Sequence, residues 1–181
     1  MNLANKITML RILIIPIFLV FIAVNNIPYN IEIAIALFII AAITDKLDGY
    51  IARSRNEITN FGKIMDPLAD KLLVTAALIS LVEFGVISTW VVMIIIAREY
   101  LVTGLRTVAA GEGNVIAASN WGKLKTVIQI IAIIFGLIYV KYDNNTILET
   151  ITNVSMFIAV AITVISGADY FIKSKDTIVL D

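Results

Sequence analysis

The segment that decides the fold is DKLDGYIARSRNEITNFGKIMDPLAD, residues 45–70, which lies between two long apolar stretches. It carries four aspartates: Asp45, Asp48, Asp66 and Asp70. Carboxylates near a bilayer are costly unless they pair or bind cations. On a helix, positions three and four residues apart differ by roughly 60° and 40°, so each pair shares one face. If the two helices are antiparallel neighbours, the pairs meet and hold one or two divalent ions, for which Mg²⁺ fits best.

The composition supports a membrane setting for these carboxylates. The chain has 181 residues, of which 60% are hydrophobic, and its mean hydropathy is +0.94. A soluble domain of this size cannot hide so much apolar surface, so we expect an integral membrane protein. Formal net charge is zero, and nothing in the charge distribution indicates a nucleic-acid partner.

The chain contains no cysteine and no histidine. This excludes a disulfide framework, a thiol nucleophile, a Ser-His-Asp triad and the common zinc sites. A catalytic base must then be Asp, Glu, Lys or Tyr, and a metal must be a hard cation held by oxygen.

The apolar stretches predict an all-α protein with about six spans, each near the roughly 20 residues that cross the hydrocarbon core. The predicted spans are Ile7–Val24, Ile31–Asp48, Pro67–Phe84, Ser88–Ala109, Lys123–Val140 and Ile151–Ile172. Arg11 interrupts the first apolar run and no small-residue cleavage site follows, so the first span is expected to be retained. We find no repeat or linker, which predicts one integral membrane domain, residues 1–181.

The basic residues are distributed unequally between the two ends of the predicted spans. The links at residues 25–28, 83–85 and 141–145 hold one of the fourteen Lys and Arg residues, Lys141. The positive-inside rule therefore places both termini and the aspartate segment in the cytoplasm, which an even number of spans allows. The polar residues at the cytoplasmic helix ends then predict a cavity open to the cytosol.

Small and basic residues accompany the aspartates. Gly49 and Gly62 would let a ligand approach the backbone, although Gly62 also suits a turn. Ala52 leaves room beside the helix. Arg53 can make a bidentate contact to a phosphate, or can be an interfacial arginine that snorkels towards water. The alternative for the aspartates themselves is two solvated helix ends paired with nearby lysines.

The segment resembles the signature of the CDP-alcohol phosphotransferases, D-x2-D-G-x2-A-R-x8-G-x3-D-x3-D, at all eight fixed positions over 26 residues. The resemblance implies six transmembrane helices, a homodimer, and transfer of a phosphatidyl or similar group from a CDP-linked donor to an alcohol, with release of CMP. It implies two Mg²⁺ or Mn²⁺ ions per site, ligated by Asp45, Asp48 and Asp66 and completed by Asp70. Asp70 is also the implied general base.

The same resemblance implies a nucleotide site. Its CDP-binding residues would be Asp48, Gly49, Ala52, Arg53 and Gly62. The N-terminal Asn5-x2-Thr8-x2-Arg11 is similar to a further family element, in which Thr8 would contact the nucleotide.

A second group of charges lies in the other half of the chain. Arg98 and Arg106 are eight residues apart on neighbouring stripes of one helix face, and Lys123 and Lys125 begin the next span. Four cations near a bound pyrophosphate suggest an anionic acceptor. Alternatively, they are the basic residues that commonly flank the cytoplasmic ends of membrane helices, and Glu99 can pair with Arg98.

These stretches are similar to A-R-E-x4-G-L-R and G-K-x-K-T of the phosphatidylglycerophosphate synthases, a branch of the same family. The resemblance implies CDP-diacylglycerol as donor and sn-glycerol 3-phosphate as acceptor. The acceptor phosphate would bind Arg98, Arg106, Lys123 and Lys125. The implied location is a bacterial cell membrane, with a multi-pass chain whose active site faces the cytoplasm.

Several alternatives stay open from the sequence. Within the family they are phosphatidylinositol-phosphate, phosphatidylserine and cardiolipin synthases. A UbiA-like prenyltransferase also uses membrane aspartates, but Thr44 stands where its first motif has asparagine. A divalent-cation transporter would need polar residues through the full membrane depth, whereas here the acids collect at one end of the spans.

Overall fold

Six α-helices form the part of the chain that the computed structural model describes, and no strand occurs in that part. They are α1 (Leu3–Ala23), α2 (Asn30–Ser54), α3 (Asn60–Glu83), α4 (Thr89–Gly111), α5 (Asn120–Lys141) and α6 (Thr146–Lys173). The description covers the backbone of residues 3–24, 26–54, 60–111 and 119–174. It covers the side chains of the same ranges except residues 3, 4, 45–54, 60, 61, 63, 64 and 66. The predicted all-α fold is confirmed.

Helices α2 and α3 are longer than the predicted apolar spans. Helix α2 continues to Ser54, six residues past Asp48, and α3 begins at Asn60, seven residues before Pro67. Hydropathy reports only the apolar part of a helix, while the backbone hydrogen-bond ladder continues through polar turns. Pro67 lies inside α3, where it removes one ladder hydrogen bond without ending the helix. All four aspartates therefore lie within helices rather than beyond helix ends.

Two helical hairpins, α1 with α2 and α5 with α6, make up much of the bundle. Helix α1 packs along α2 and α3, and α5 packs along α6 and also touches α2 and α3. The core between them is closed by fully buried Phe18, Phe38, Leu78 and Leu137, and the two phenyl rings lie 6.2 Å apart between centroids. Apolar contact of this kind fixes the relative height of the helices, which decides which polar ends meet.

Helix α4 packs against α6 and α3 and completes the bundle. The chain alternates direction, so the N-terminal turns of α3 and α5 come to the same end as the C-terminal turns of α4 and α6. Tight links with capped helix starts occupy the other end, where the Asn145 side chain accepts from the backbone N–H groups of Ile147 and Leu148. The polar ends of these four helices therefore lie at one end of the bundle.

The outer surface is apolar, as expected for contact with lipid. Trp90, Phe157 and Ile147 are 77%, 75% and 72% exposed. Within the described residues, three helices have the length and composition to cross a membrane: Asn5–Ala23, Asn120–Lys141 and Thr146–Lys173. The chain is a membrane protein by these criteria. The number of spans and the side on which the termini lie stay predictions.

Gly136 permits the close approach of α5 to α3, and we expect Gly136→Val to destabilise the bundle. A Cβ atom at Gly136 would lie 2.8 Å from Cδ1 of Leu81, which is fully buried. Overpacking of this kind lowers the free energy of unfolding by about 1–3 kcal/mol. Thermal unfolding in detergent micelles measures it, with Gly104→Val as the matched control because nothing lies within 4 Å of a Cβ there. Equal stability of the two variants would contradict the packing described.

Candidate active site

A cavity of about 620 Å³ opens where α3, α4, α5 and α6 converge. Five cationic side chains and two carboxylates line it: Lys71, Arg98, Arg106, Lys123 and Lys125, with Asp70 and Glu99. Five of the predicted site residues, Asp70, Arg98, Arg106, Lys123 and Lys125, thus face one space although they come from three helices. A cavity with this excess of positive charge suits a small anionic ligand.

Glu99 holds the two inner cations of the cavity. Its Oε1 atom accepts from Nζ of Lys125 and from Nη1 of Arg98, the latter at 3.2 Å. The three side chains are only 5%, 11% and 21% exposed for Lys125, Arg98 and Glu99 respectively. Buried charges need such a partner to offset their desolvation. The pairing of Glu99 with Arg98, one of the alternatives from the sequence, is confirmed, and the carboxylate serves Lys125 as well.

The two outer cations, Arg106 and Lys123, have a different environment. Both are exposed at the cavity mouth, and no carboxylate among the described residues makes an ion pair with either. Their charge is not shared with a protein partner in the described part of the chain. They are therefore the cations best placed to meet an incoming anion first.

Asp70 and Lys71 lie on the α3 side of the cavity. Both are partly buried, and both also line a deeper cavity of about 20 Å³ that reaches Gln129. Nζ of Lys71 donates to Oγ1 of Thr103, whose hydroxyl donates in turn to the Glu99 carbonyl oxygen at 2.7 Å. The sequence predicts Lys71 among the polar residues around the cytosolic cavity but gives it no binding role, and it does not indicate Thr103. The available signal was that Lys71 directly follows Asp70.

Helix α6 supplies part of the cavity wall that no sequence motif indicated. Nη2 of Arg98 donates to Oγ of Ser166, and the guanidinium carbon lies 5.4 Å from the centre of the Tyr170 ring. The Tyr170 hydroxyl oxygen accepts from the backbone N–H of Ser119 at 3.0 Å. Ser and Tyr in an apolar helix give no local signal, because their hydrogen-bond partners lie 51 and 68 residues away.

The predicted nucleotide side lies towards α1, α2 and α3. Asn5, Thr8 and Arg11 are buried on one face of α1, which packs against both α2 and α3. Gly62 is buried in α3. Thr8 and Gly62 do not line the basic cavity. Six predicted residues lie outside the described side chains: Asp45, Asp48, Gly49, Ala52, Arg53 and Asp66.

The residues fit a divalent cation by the chemistry of their donors. Asp70 is in place at the cavity wall, and α2, which carries Asp45 and Asp48, contacts α3. The predicted donor set consists of carboxylate oxygens alone, as Mg²⁺ and Mn²⁺ prefer. Among the described side chains no group of three acidic residues forms, since three of the four predicted ligands lie outside them.

The sequence of this chain matches a known family of membrane enzymes. Residues 1–165 match the family model described as CDP-alcohol phosphatidyltransferase. The chain belongs to the CDP-alcohol phosphatidyltransferase family. The resemblance drawn from residues 45–70 is thereby confirmed, and the chain is an enzyme of this family.

Curated relatives of this CDP-alcohol phosphatidyltransferase cover nearly all of it. It is 45% identical to the CDP-diacylglycerol–glycerol-3-phosphate 3-phosphatidyltransferase of Bacillus subtilis, over 98% of this chain and 97% of the relative. Proteins of the same name from Rickettsia typhi and Haemophilus influenzae are 37% and 35% identical, over 96% and 98% of this chain and 97% and 95% of the relatives. The family match ends at residue 165, one residue before Ser166. The α6 wall of the cavity therefore lies beyond the part that the family model matches.

Proposed function

We propose that this enzyme transfers the phosphatidyl group of CDP-diacylglycerol to sn-glycerol 3-phosphate, which gives phosphatidylglycerol phosphate and CMP. The observation that carries the proposal is the basic cavity, in which Asp70 lies beside the cations of α4 and α5. The names of the relatives support the same donor and acceptor.

We assign the donor to the α1–α3 side of the site. Asp45, Asp48, Asp66 and Asp70 would hold two Mg²⁺ or Mn²⁺ ions, which supply charge neutralisation at the pyrophosphate when bound. The CDP group would contact Thr8, Asp48, Gly49, Ala52, Arg53 and Gly62. The buried polar face of α1, packed on α2 and α3, supports this side for the nucleotide.

We assign the acceptor to the basic cavity. Arg106 and Lys123 would bind its phosphate at the mouth, while Lys125 and Arg98, held by Glu99, bind it deeper. Charge-assisted hydrogen bonds to phosphate are the strongest that these side chains make. The phosphate would thereby orient the acceptor hydroxyl towards α3.

Asp70 is the proposed general base. It takes the proton of the acceptor hydroxyl while the hydroxyl oxygen forms a bond to the phosphorus of the phosphatidyl group. The bond from that phosphorus to the bridging pyrophosphate oxygen breaks, and CMP leaves with the bonding electrons. A base must lie within roughly 3 Å of the proton donor, and the presence of Asp70 in the cavity wall supports this role.

The wider setting is part of the same proposal. We place the chain as one integral membrane domain, residues 1–181, in a bacterial cell membrane, with several spans and the active site facing the cytoplasm. The relatives are bacterial, and the apolar outer surface supports insertion in lipid. We further propose a homodimer, as the family resemblance implies.

An acceptor screen with the purified protein tests the proposal. We expect CMP release from CDP-diacylglycerol that requires Mg²⁺ or Mn²⁺, is stopped by a chelator, and is fastest with glycerol 3-phosphate. Inositol phosphate, serine and phosphatidylglycerol are the comparison acceptors. Preference for one of these would contradict glycerol 3-phosphate as the acceptor but would not contradict the family assignment. Cation flux across vesicles without CMP release would favour a transporter.

A further inference from the structure

Tyr170 joins three parts of the cavity wall that are far apart in the sequence. It lies in the last turn of α6, is only 4% exposed, and lines the basic cavity. Its hydroxyl contacts the start of α5, and its ring lies under a cation of α4. A buried tyrosine in an apolar helix usually needs one polar partner, whereas this side chain has two.

The hydroxyl fixes the beginning of α5. Ser119 is the N-cap of that helix: its Oγ accepts from the Gly122 backbone N–H at 3.1 Å, and its own N–H donates to Tyr170. The Tyr170 ring also packs on this first turn, because a Cβ at Gly122 would lie 3.4 Å from Cε2 and from the hydroxyl oxygen. Lys123 follows directly, so the position of its backbone depends on this contact.

The ring fixes the other side of the cavity. The Arg98 guanidinium lies over it at 5.4 Å from the ring centre, which is within the range of a cation–π interaction. Glu99 and Ser166 bind the two terminal nitrogens of the same guanidinium. Glu99 and Ser166 therefore bind the edge of the Arg98 guanidinium, and the Tyr170 ring covers its face. Together these contacts fix the plane of the guanidinium.

We propose that Tyr170 is a positioning residue for the acceptor phosphate, which sets the distance between the cations of α4 and those at the start of α5. It touches neither reacting group and acts through Arg98 and Lys123. The inference rests on the proposed function for the class of acceptor, a small phosphorylated alcohol. The family model ends before Tyr170, so this contact lies outside the matched signature.

Two variants separate the two contacts. Tyr170→Phe removes the hydroxyl and keeps the ring under Arg98, and we expect the KM for glycerol 3-phosphate to rise about fivefold, as for one lost hydrogen bond. Tyr170→Leu removes both contacts, and we expect a rise of about thirtyfold. The KM for CDP-diacylglycerol should change less than about twofold in both, since the donor side is untouched. Phe171→Leu is the control, because Phe171 is the next residue and is exposed.

The decisive readout is whether the acceptor KM rises more than the donor KM, because general loosening of the bundle would weaken the binding of both substrates. If Tyr170→Leu does not fold, Tyr170→Phe alone decides. An unchanged acceptor KM in Tyr170→Phe, or an equal rise for donor and acceptor, overturns the inference. Glycerol 3-phosphate should raise the thermal unfolding temperature most in the unaltered protein, less in Tyr170→Phe and least in Tyr170→Leu.

The experiment also distinguishes this inference from the proposed function. If the unaltered protein prefers another phosphorylated alcohol, the proposed acceptor is wrong, and the variants are measured with the preferred one. A rise in the KM for that acceptor upholds the role of Tyr170. A preference for serine, which carries no phosphate, overturns both.

Discussion

Asp70→Asn is expected to abolish phosphatidyl transfer while binding of CDP-diacylglycerol survives. Asparagine has nearly the same shape as aspartate but cannot take a proton from the acceptor hydroxyl. Loss of a general base lowers the rate by roughly 10²- to 10⁴-fold. Asp70 lines the basic cavity on its α3 side, where the acceptor would be bound. CMP release gives the rate, and equilibrium binding of the labelled donor gives the affinity.

Two controls make this result specific. Asp143→Asn removes a carboxylate from the exposed link between α5 and α6, at the opposite end of the bundle, and should leave the rate unchanged. A titration with Mn²⁺ separates base from ligand: if Asp70 served only as a metal ligand, high Mn²⁺ would restore much of the rate. Turnover at the level of the unaltered enzyme would remove Asp70 from the mechanism altogether.

The second large effect concerns Glu99 and Lys125, whose structural and binding roles can be separated. Glu99→Gln leaves two buried cations without their carboxylate and should lower the free energy of unfolding by about 3 kcal/mol. Lys125→Met should raise the acceptor KM by roughly tenfold or more, since a charged hydrogen bond to phosphate is lost. In the double variant only Arg98 of these two cations still lacks the carboxylate, and it keeps Ser166 and Tyr170, so part of the stability should return while the acceptor KM stays high.

The exposed ion pair at the far end provides the matched control. Lys141 and Glu32 join α5 to α2 at 2.9 Å, with side chains 36% and 40% exposed. Their removal should cost less than about 1 kcal/mol, as for surface pairs, and should not change either KM. If the Glu99→Gln/Lys125→Met double variant regained the acceptor KM of the unaltered enzyme, Lys125 would have no part in acceptor binding.

The sequence predicts the helices and the family well because both signals are local. Apolar runs of membrane length predict six helices, and the fixed spacing of Asp45 to Asp70 identifies the family. Helix ends were less well predicted, because hydropathy falls at Asp48 while the backbone of α2 continues to Ser54. Four of the five cations of the cavity were also predicted, because Arg98, Arg106, Lys123 and Lys125 lie in stretches that resemble a branch of the family.

The long-range contacts of the cavity were not predictable in the same way. Nothing near Tyr170 or Ser166 in the sequence indicates that α6 crosses α4 at Arg98. That contact depends on how the apolar faces pack, which sets the height of each helix against its neighbours. Glu99 was an intermediate case: its link to Arg98 follows from adjacency, but its link to Lys125 requires the tertiary fold.

The buried arginine of α1 has a consequence for how the protein is made. Arg11 is wholly buried, and α1 packs against α2 and α3, which are synthesised after it. A guanidinium alone in hydrocarbon is costly, so a nascent α1 keeps Arg11 at a water-facing membrane surface by snorkelling. The guanidinium of Arg11 is shielded from lipid only once α2 and α3 pack against α1. We therefore expect the burial of Arg11 to couple the packing of α1 to that of α2 and α3.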